Sequence, residues 1–332
     1  MWDPRTYVDT DFGLEDDEAF EPEDSTDSGI DPATDPHVMT VLGAVSPDDL
    51  GICLPYEHLL IDAPGYEESG KQLNDVMRAI EELTHFVTVG GQTLVDATTR
   101  ERGRDILGLR QIARLVPAHI ITVTGGQSRP GLDIPAFADE IQQEITAGIG
   151  PRNVRPGLIV ATLAGSEIEE HDRAFLHALA SIGMESGLPL YLNGDNLAIL
   201  TEAVRIVLET SLPAHRVIVK LPESAFAPSL VQELTSGGCR IVFTGIGKGN
   251  ADHERAVAGA VAKFAAEGQL KNVLMSQGLD HRSQMLAWNG SPGWVYVLER
   301  FVLTLMDAGL PATSVRTLLI DNPASALTIL PG

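Results

Sequence analysis

The chain has 332 residues, 44% of them hydrophobic, which is enough to fill one large core, and it carries a net charge of −23. So acidic a chain lacks the basic surface that binds the phosphate backbone of nucleic acids or an anionic membrane. No apolar run reaches the roughly 20 residues that cross a bilayer, and the acidic N-terminus is unlike a secretory signal, so we predict a cytoplasmic protein.

The acidic residues concentrate at the N-terminus. Residues 1–37 contain thirteen Asp and Glu residues against a single base, Arg5. Such a composition is typical of a flexible segment that cannot bury a core. We predict an acidic tail over residues 1–37 that maintains solubility; the alternative role is docking to a protein partner.

From residue 38 onward, short apolar runs alternate with stretches of helical period, as in a parallel sheet whose strands are joined by helices. The predicted strands are Gly51–His58, Thr93–Thr98, His119–Thr124, Gly157–Leu163, Pro189–Leu192, Arg216–Lys220, Arg240–Thr244 and Asn272–Ser276. The predicted helices are Leu73–Phe86, Arg104–Leu115, Pro135–Thr146, Asp172–Glu185, Ala198–Glu209, Pro228–Thr235, His253–Glu267 and Trp294–Ala308. Eight even repeats predict a single (β/α)8 barrel over residues 38–332, with its site at the carboxyl ends of the strands.

Eight short motifs occur in order on these elements. They are TVLG before the first strand, LPYEHLLID, LVDAT, GRD, RPGLI, GIGKG, LMSQG and, near the end, DNPASAL. In this order the chain resembles the phosphotriesterase-like family of the amidohydrolase superfamily over about residues 39–327. The resemblance implies a metal-dependent hydrolase with two divalent ions bridged by hydroxide.

The resemblance also implies which positions would hold the metals. The family ligands are two His on strand one, a carboxylated Lys or a Glu on strand four, His on strands five and six, and Asp on strand eight. The matching residues here are Tyr56, His58, Val160 (or Ala161), Asn193, Leu221 and Gly278. Only His58 retains a family ligand, since valine, leucine and glycine side chains donate no lone pair.

We therefore predict a pseudoenzyme that holds no metal and binds a small-molecule ligand or a protein partner. The alternative is a diverged hydrolase or lactonase acting on a small ester or lactone through His58, Asp280 and His281. That enzyme is either metal-free or dependent on one divalent metal such as zinc, because three N or O ligands with one open position suit catalytic zinc. A homodimer, or association with a catalytic paralogue, is the expected form of protein partner.

The remaining strand ends predict the lining of the ligand pocket. The predicted pocket residues are Tyr56, Asp96, Asn193, Lys220, Gly245, Gly247 and Lys248. Asp96 is either an acid-base group or a structural residue paired with a base such as Arg104. The GIGKG loop is either an anion site or a tight turn.

Overall fold

The computed structural model describes residues 29–66, 70–223 and 228–330. An antiparallel hairpin, β1 (Val38–Thr40) and β2 (Gly43–Val45), precedes a sheet of eight parallel strands ordered as in the sequence. These strands are β3 (Cys53–Glu57), β4 (Thr93–Asp96), β5 (His119–Gln127), β6 (Leu158–Leu163), β7 (Leu190–Gly194), β8 (Val217–Lys220), β9 (Arg240–Phe243) and β10 (Val273–Met275). The predicted (β/α)8 barrel is confirmed.

Helices follow the barrel strands as predicted. They are α1 (Val76–Thr88), α2 (Ile106–Leu115), α3 (Ile134–Thr146), α4 (Glu170–Ser186), α5 (Leu197–Glu209), α6 (Pro228–Ser236), α7 (Ala251–Ala266), α8 (Val302–Asp307), α9 (Ala312–Arg316) and α10 (Asn322–Leu327). Several begin at an Asp or Asn that accepts a backbone N–H, as Asp75 and Asn196 do. Among the described helices, none combines the length and apolarity needed to cross a membrane.

The structure differs from the predicted elements at both ends of the barrel. The predicted last helix contains a π-helical segment, Val297–Phe301, before α8. The β1–β2 hairpin was not predicted, because strands of three residues are too short to show a period. The helical stretch over residues 312–327, in which a π-helical segment, Thr317–Asp321, joins α9 to α10, was not predicted either.

Alternate residues of the strands fill the inside of the barrel. This inner layer contains Val160, Tyr191, Ile218, Val242 and Leu274, while the intervening residues pack against the helices. Since side chains alternate along a strand, residues two positions beyond Tyr191 and Ile218 also point inward. Asn193 and Lys220 therefore lie at the mouth of the barrel.

A buried carboxylate closes the barrel between its first and last strands. Glu57, at the end of β3, is fully buried. Its Oε1 accepts hydrogen bonds from Ser276 Oγ (2.6 Å), Gln277 N (2.6 Å) and Gly278 N (3.0 Å), and its Oε2 from Leu279 N (2.9 Å) and Trp294 Nε1 (3.1 Å). Burial raises the pKa of Glu57, and these hydrogen bonds oppose the rise because they favour the ionised form. Within the described residues, side chains rather than a backbone ladder join β3 to β10.

The N-terminal segment meets the C-terminal one at the other end of the barrel. Of the predicted acidic tail, residues 1–28 lie outside the described residues. The next residues form a turn at Asp31–Asp35, and His37 exchanges backbone hydrogen bonds with Ile329 at 3.1 and 2.7 Å.

Replacing Glu57 by Gln is expected to destabilise the fold by about 3 kcal/mol, because the amide nitrogen faces buried donors and leaves them without an acceptor. Urea unfolding would measure the loss. The matched control is Glu81→Gln, on the exposed side of α1, where the carboxylate pairs with Arg78. A Glu57→Gln protein as stable as the Glu81→Gln protein would contradict the assigned closure.

Candidate active site

A cavity of about 240 Å³ opens at the carboxyl ends of the strands. Its polar and charged lining consists of Tyr56, His58, Arg102, Thr162, Asn193, Asp195, Lys220, Glu223, Lys248 and Asp280. These residues come from the ends of β3, β6, β7 and β8 and from the loops that follow the strands. The position is the one at which barrel enzymes hold their substrates.

His58 lies at the end of a buried hydrogen-bonded chain. Thr98 Oγ1 donates its single hydrogen to Asp96 Oδ1 at 2.8 Å, so it accepts from Nδ1–H of His58 at 3.0 Å. The ring therefore has its lone pair on Nε2. That lone pair accepts a hydrogen bond from Arg102 Nη1 at 2.9 Å.

Arg102 and burial together keep His58 neutral. The ring is almost fully buried, and burial lowers the pKa of His58 well below 6.5, with the positive charge of Arg102 lowering it further. The other guanidinium nitrogen of Arg102, Nη2, lies 3.3 Å from Oδ2 of Asp280. A permanent cation thus bridges the imidazole and the carboxylate.

Asp96 contributes to this chain from beneath the cavity and does not line it. Its Oδ1 accepts the N–H of Leu59 at 3.1 Å in addition to the Thr98 hydroxyl, while Oδ2 has no partner within the described residues. Burial raises the pKa of Asp96 to about 7. An orphan oxygen is suited to carry the proton of the neutral form.

The expected pairing of Asp96 with Arg104 was wrong. Arg104 instead forms a bidentate ion pair with Glu144, at 2.5 and 3.1 Å, and donates to the carbonyl of Val123 at 2.6 Å. The guanidinium of Arg104 points away from the barrel mouth because Glu144, on α3, places its carboxylate between the strand and the helix layer. Asp96 accepts hydrogen bonds from neutral donors, and these lower its pKa by less than burial raises it.

Lys220 and Tyr56 form the floor of the cavity. The ammonium group of Lys220 lies 5.2 Å from the centre of the Tyr56 ring, and burial lowers the pKa of Lys220. Asn193 donates through Nδ2 to the Tyr56 hydroxyl at 3.0 Å. Burial raises the pKa of Tyr56 to about 12, so its hydroxyl keeps its proton at neutral pH.

The GIGKG loop uses its polar groups within the protein. The N–H of Gly247 donates to Glu254 Oε1 at 2.9 Å, and the N–H of Gly245 donates to the carbonyl of Gln277 at 2.9 Å. Only Lys248 of the loop lines the cavity, where it pairs with Glu223 at 2.6 Å. The tight-turn alternative therefore describes the loop better than the anion site. Gly247 lines a separate groove of about 440 Å³ beside α7, which contains none of the strand-end residues.

Asp280 and His281 are separated by the structure. Asp280 lines the cavity and lies near both Arg102 and Lys71, at 3.3 and 3.6 Å. His281 lies outside the cavity lining, where its Nδ1 accepts the N–H of Ser283 at 3.1 Å. The predicted trio of His58, Asp280 and His281 is therefore not assembled at one point.

The residues at the family ligand positions do not fit a pair of metal ions. Val160 and Ala161 are buried aliphatic side chains, and Leu221 packs in the outer apolar layer. Lys220, one residue earlier, takes the inward position on β8. Among the described residues, no three His, Cys, Asp or Glu side chains come together as a metal-binding group. Gly278 adds no carboxylate, so the donor set is incomplete.

The sequence analysis did not predict two residues on which the site depends, Glu57 and Arg102. Glu57 carried a detectable signal, since a carboxylate inside an apolar strand must find several donors when it is buried. Arg102 carried none, because it is one of three arginines in a short loop and its partners, His58 and Asp280, lie 44 and 178 residues away.

Comparisons with known proteins agree on the fold and the family. The sequence profile of the phosphotriesterase family matches residues 36–327. The N-acetyltaurine hydrolase of Salmo salar is 24% identical over 88% of this chain and 97% of its own length. The phosphotriesterase homology protein of Escherichia coli is 22% identical over 83% of this chain and 98% of its own length.

Solved structures show the same fold. A lactonase from Listeria monocytogenes superposes with a TM-score of 0.81 at 18% identity, covering 88% of this chain and 99% of the lactonase. The Escherichia coli phosphotriesterase homology protein, crystallised with phosphate in its active site, superposes with a TM-score of 0.78 at 22% identity, covering 84% of this chain and 99% of that protein. This chain folds as a barrel, carries the family's motifs in the family's order and matches the family profile over residues 36–327. It belongs to the phosphotriesterase family.

Proposed function

We propose that this chain is a non-catalytic member of its family, a pseudoenzyme that binds a small molecule in the barrel mouth without metal ions. The observation that carries the proposal is the hydrogen bond from Arg102 to Nε2 of His58 at 2.9 Å. A histidine binds metal through a free ring lone pair. Here Nδ1 carries the hydrogen and the Nε2 lone pair is engaged, so His58 has no donor atom free for a metal ion.

The charge of Arg102 supports the same proposal. A guanidinium remains positive at every accessible pH, and its charge repels a divalent cation at short distance. Lys220 and Lys248 line the same cavity. The lining thus supplies its own positive charges where the family would place metal ions.

A diverged hydrolase is the alternative, and the names of the relatives favour it. Proteins named N-acetyltaurine hydrolase match most of this chain, so an N-acylated or ester metabolite is the substrate class to test. The geometry favours it less. His58 would need to release Arg102 before its Nε2 could accept a proton, and His281 is not in the cavity.

The direct test of the alternative is release of taurine from N-acetyltaurine by the purified full-length protein, with His58→Ala and His281→Ala alongside. A pseudoenzyme yields no product above a protein-free control. Turnover that is lost in His58→Ala and kept in His281→Ala would overturn the proposal and assign catalysis to the barrel mouth.

Elemental analysis of protein purified without chelator is expected to find metal near zero, with no uptake after incubation with zinc or manganese. The physical reason is the incomplete donor set around an engaged His58. His58→Ala serves as the matched control. One equivalent or more of metal in the wild type, lost in this variant, would refute the metal-free assignment.

His58 is expected to stay neutral, with its hydrogen on Nδ1, as the pH falls through 6.5. Because the unfolded chain takes up this proton and the folded chain does not, His58 contributes stability at neutral pH that is lost as the pH falls below 6.5. Heteronuclear NMR of the imidazole nitrogens measures both the tautomer and the titration.

Burial is the main cause of this lowered pKa, and Arg102→Met tests the contribution of the guanidinium charge, since removing that charge should raise the pKa of His58 toward its ordinary value. Arg114→Met, in the last turn of α2, is the control and should leave the titration unchanged. A His58 resonance that titrates near 6.5 in the wild type would show that the ring is not held as described.

A further inference from the structure

We propose that the ligand of this cavity carries an oxyanion group, which is a carboxylate, sulfonate or phosphate, and that this group binds between Lys220 and Tyr56. The inference rests on the proposed function, since it names the chemical class of ligand for the same cavity.

Lys220 differs from the other cations of the site. Lys248 pairs with Glu223 at 2.6 Å, and Arg102 and Lys71 lie 3.3 and 3.6 Å from Asp280. Across the described residues, the ammonium group of Lys220 has neither an ion pair nor a hydrogen bond, and its contact is with the Tyr56 ring at 5.2 Å. A half-buried ammonium without an acceptor is costly, and an anion from outside would satisfy it.

Tyr56 offers a second donor beside it. Its hydroxyl oxygen accepts from Asn193, so its own hydrogen remains to be donated, and no acceptor for it is found among the described residues. The hydroxyl keeps this hydrogen at neutral pH because burial raises its pKa to about 12. The cavity therefore presents two adjacent donors that require oxygen lone pairs.

The pairing of the charges around the cavity leaves Lys220 as the cation to which an anion can bind. Lys248 is matched by Glu223, and Arg102 and Lys71 share Asp280. The third carboxylate of the lining, Asp195, uses Oδ2 to accept the N–H of Gly165 at 2.9 Å. Among the residues that the structure describes, no carboxylate is in contact with Lys220.

The size of the cavity is compatible with a small ligand. Its volume of about 240 Å³ accommodates a compact metabolite with one anionic head group.

The test is calorimetric titration of the full-length protein with acetate, methanesulfonate and inorganic phosphate, and with neutral acetamide as the isostere of acetate. At least one oxyanion should bind with one-to-one stoichiometry, and acetamide should bind at least about tenfold more weakly. The order of the three oxyanions distinguishes carboxylate, sulfonate and phosphate as the source of the anionic group.

Lys220→Met should weaken oxyanion binding by about tenfold or more, and Lys220→Arg, which keeps the charge, should retain most of it. Lys263→Met is the matched control, because Lys263 is an exposed residue on α7 that pairs with Glu267. Should Lys220→Met fail to fold, the comparison of acetate with acetamide in the wild type decides alone.

Equal binding of acetate and acetamide, or unchanged oxyanion affinity in a folded Lys220→Met protein, would overturn the oxyanion assignment. Either result would leave the metal-free ligand-binding barrel standing. Stoichiometric metal in the purified protein would instead refute the proposed function, whichever anions bind.

Discussion

The site depends on the hydrogen bonds that hold the carboxylate of Glu57. Five donors, four from residues 276–279 directly after the last strand and one from Trp294, converge on this one side chain. They fix the end of β3 against the end of β10, and the next residue, His58, begins the polar chain of the cavity. A buried charge is tolerated there because all of its donors are supplied by neighbouring backbone and side chains.

Beyond the end of β3, the positive charges of the cavity belong to protein side chains. Arg102 joins His58 to Asp280, Lys248 joins Glu223, and Lys220 lies over Tyr56. Metal centres of hydrolases activate water and stabilise developing negative charge. Side-chain cations retain only the second property, which is consistent with binding an anion and not with generating a hydroxide nucleophile.

The sequence predicted the barrel because its signals are local. Runs such as residues 119–124 and 216–220 are short, apolar and rich in β-branched residues, and each precedes a helix. The helix after the first of them begins at a capping residue, Asp133. The sequence also placed Tyr56, His58, Asn193, Lys220 and Lys248 in one pocket, because the carboxyl ends of all strands meet at one face. The sequence did not predict which of these side chains hydrogen-bond or form ion pairs with one another. Arg104 pairs with Glu144, and Arg102 donates to His58. A long arginine side chain in a loop can reach several partners, and the folded structure determines which of them it contacts.

Under the proposed metal-free function, Arg102 also bears on whether single substitutions could build a metal centre in this barrel. An aspartate introduced at position 278 would enter a left-handed backbone conformation, with φ of +68°, and it would meet a cavity that already contains guanidinium and ammonium groups. Such a carboxylate would pair with a resident cation before any metal arrived. A histidine at position 193 would remove the amide that donates to Tyr56 and gain no metal in return. Under that proposal, each introduced ligand could bind metal only after Arg102 had been removed and the other ligands were present. A protein with only some of these substitutions would have neither the present side-chain interactions nor a complete metal site.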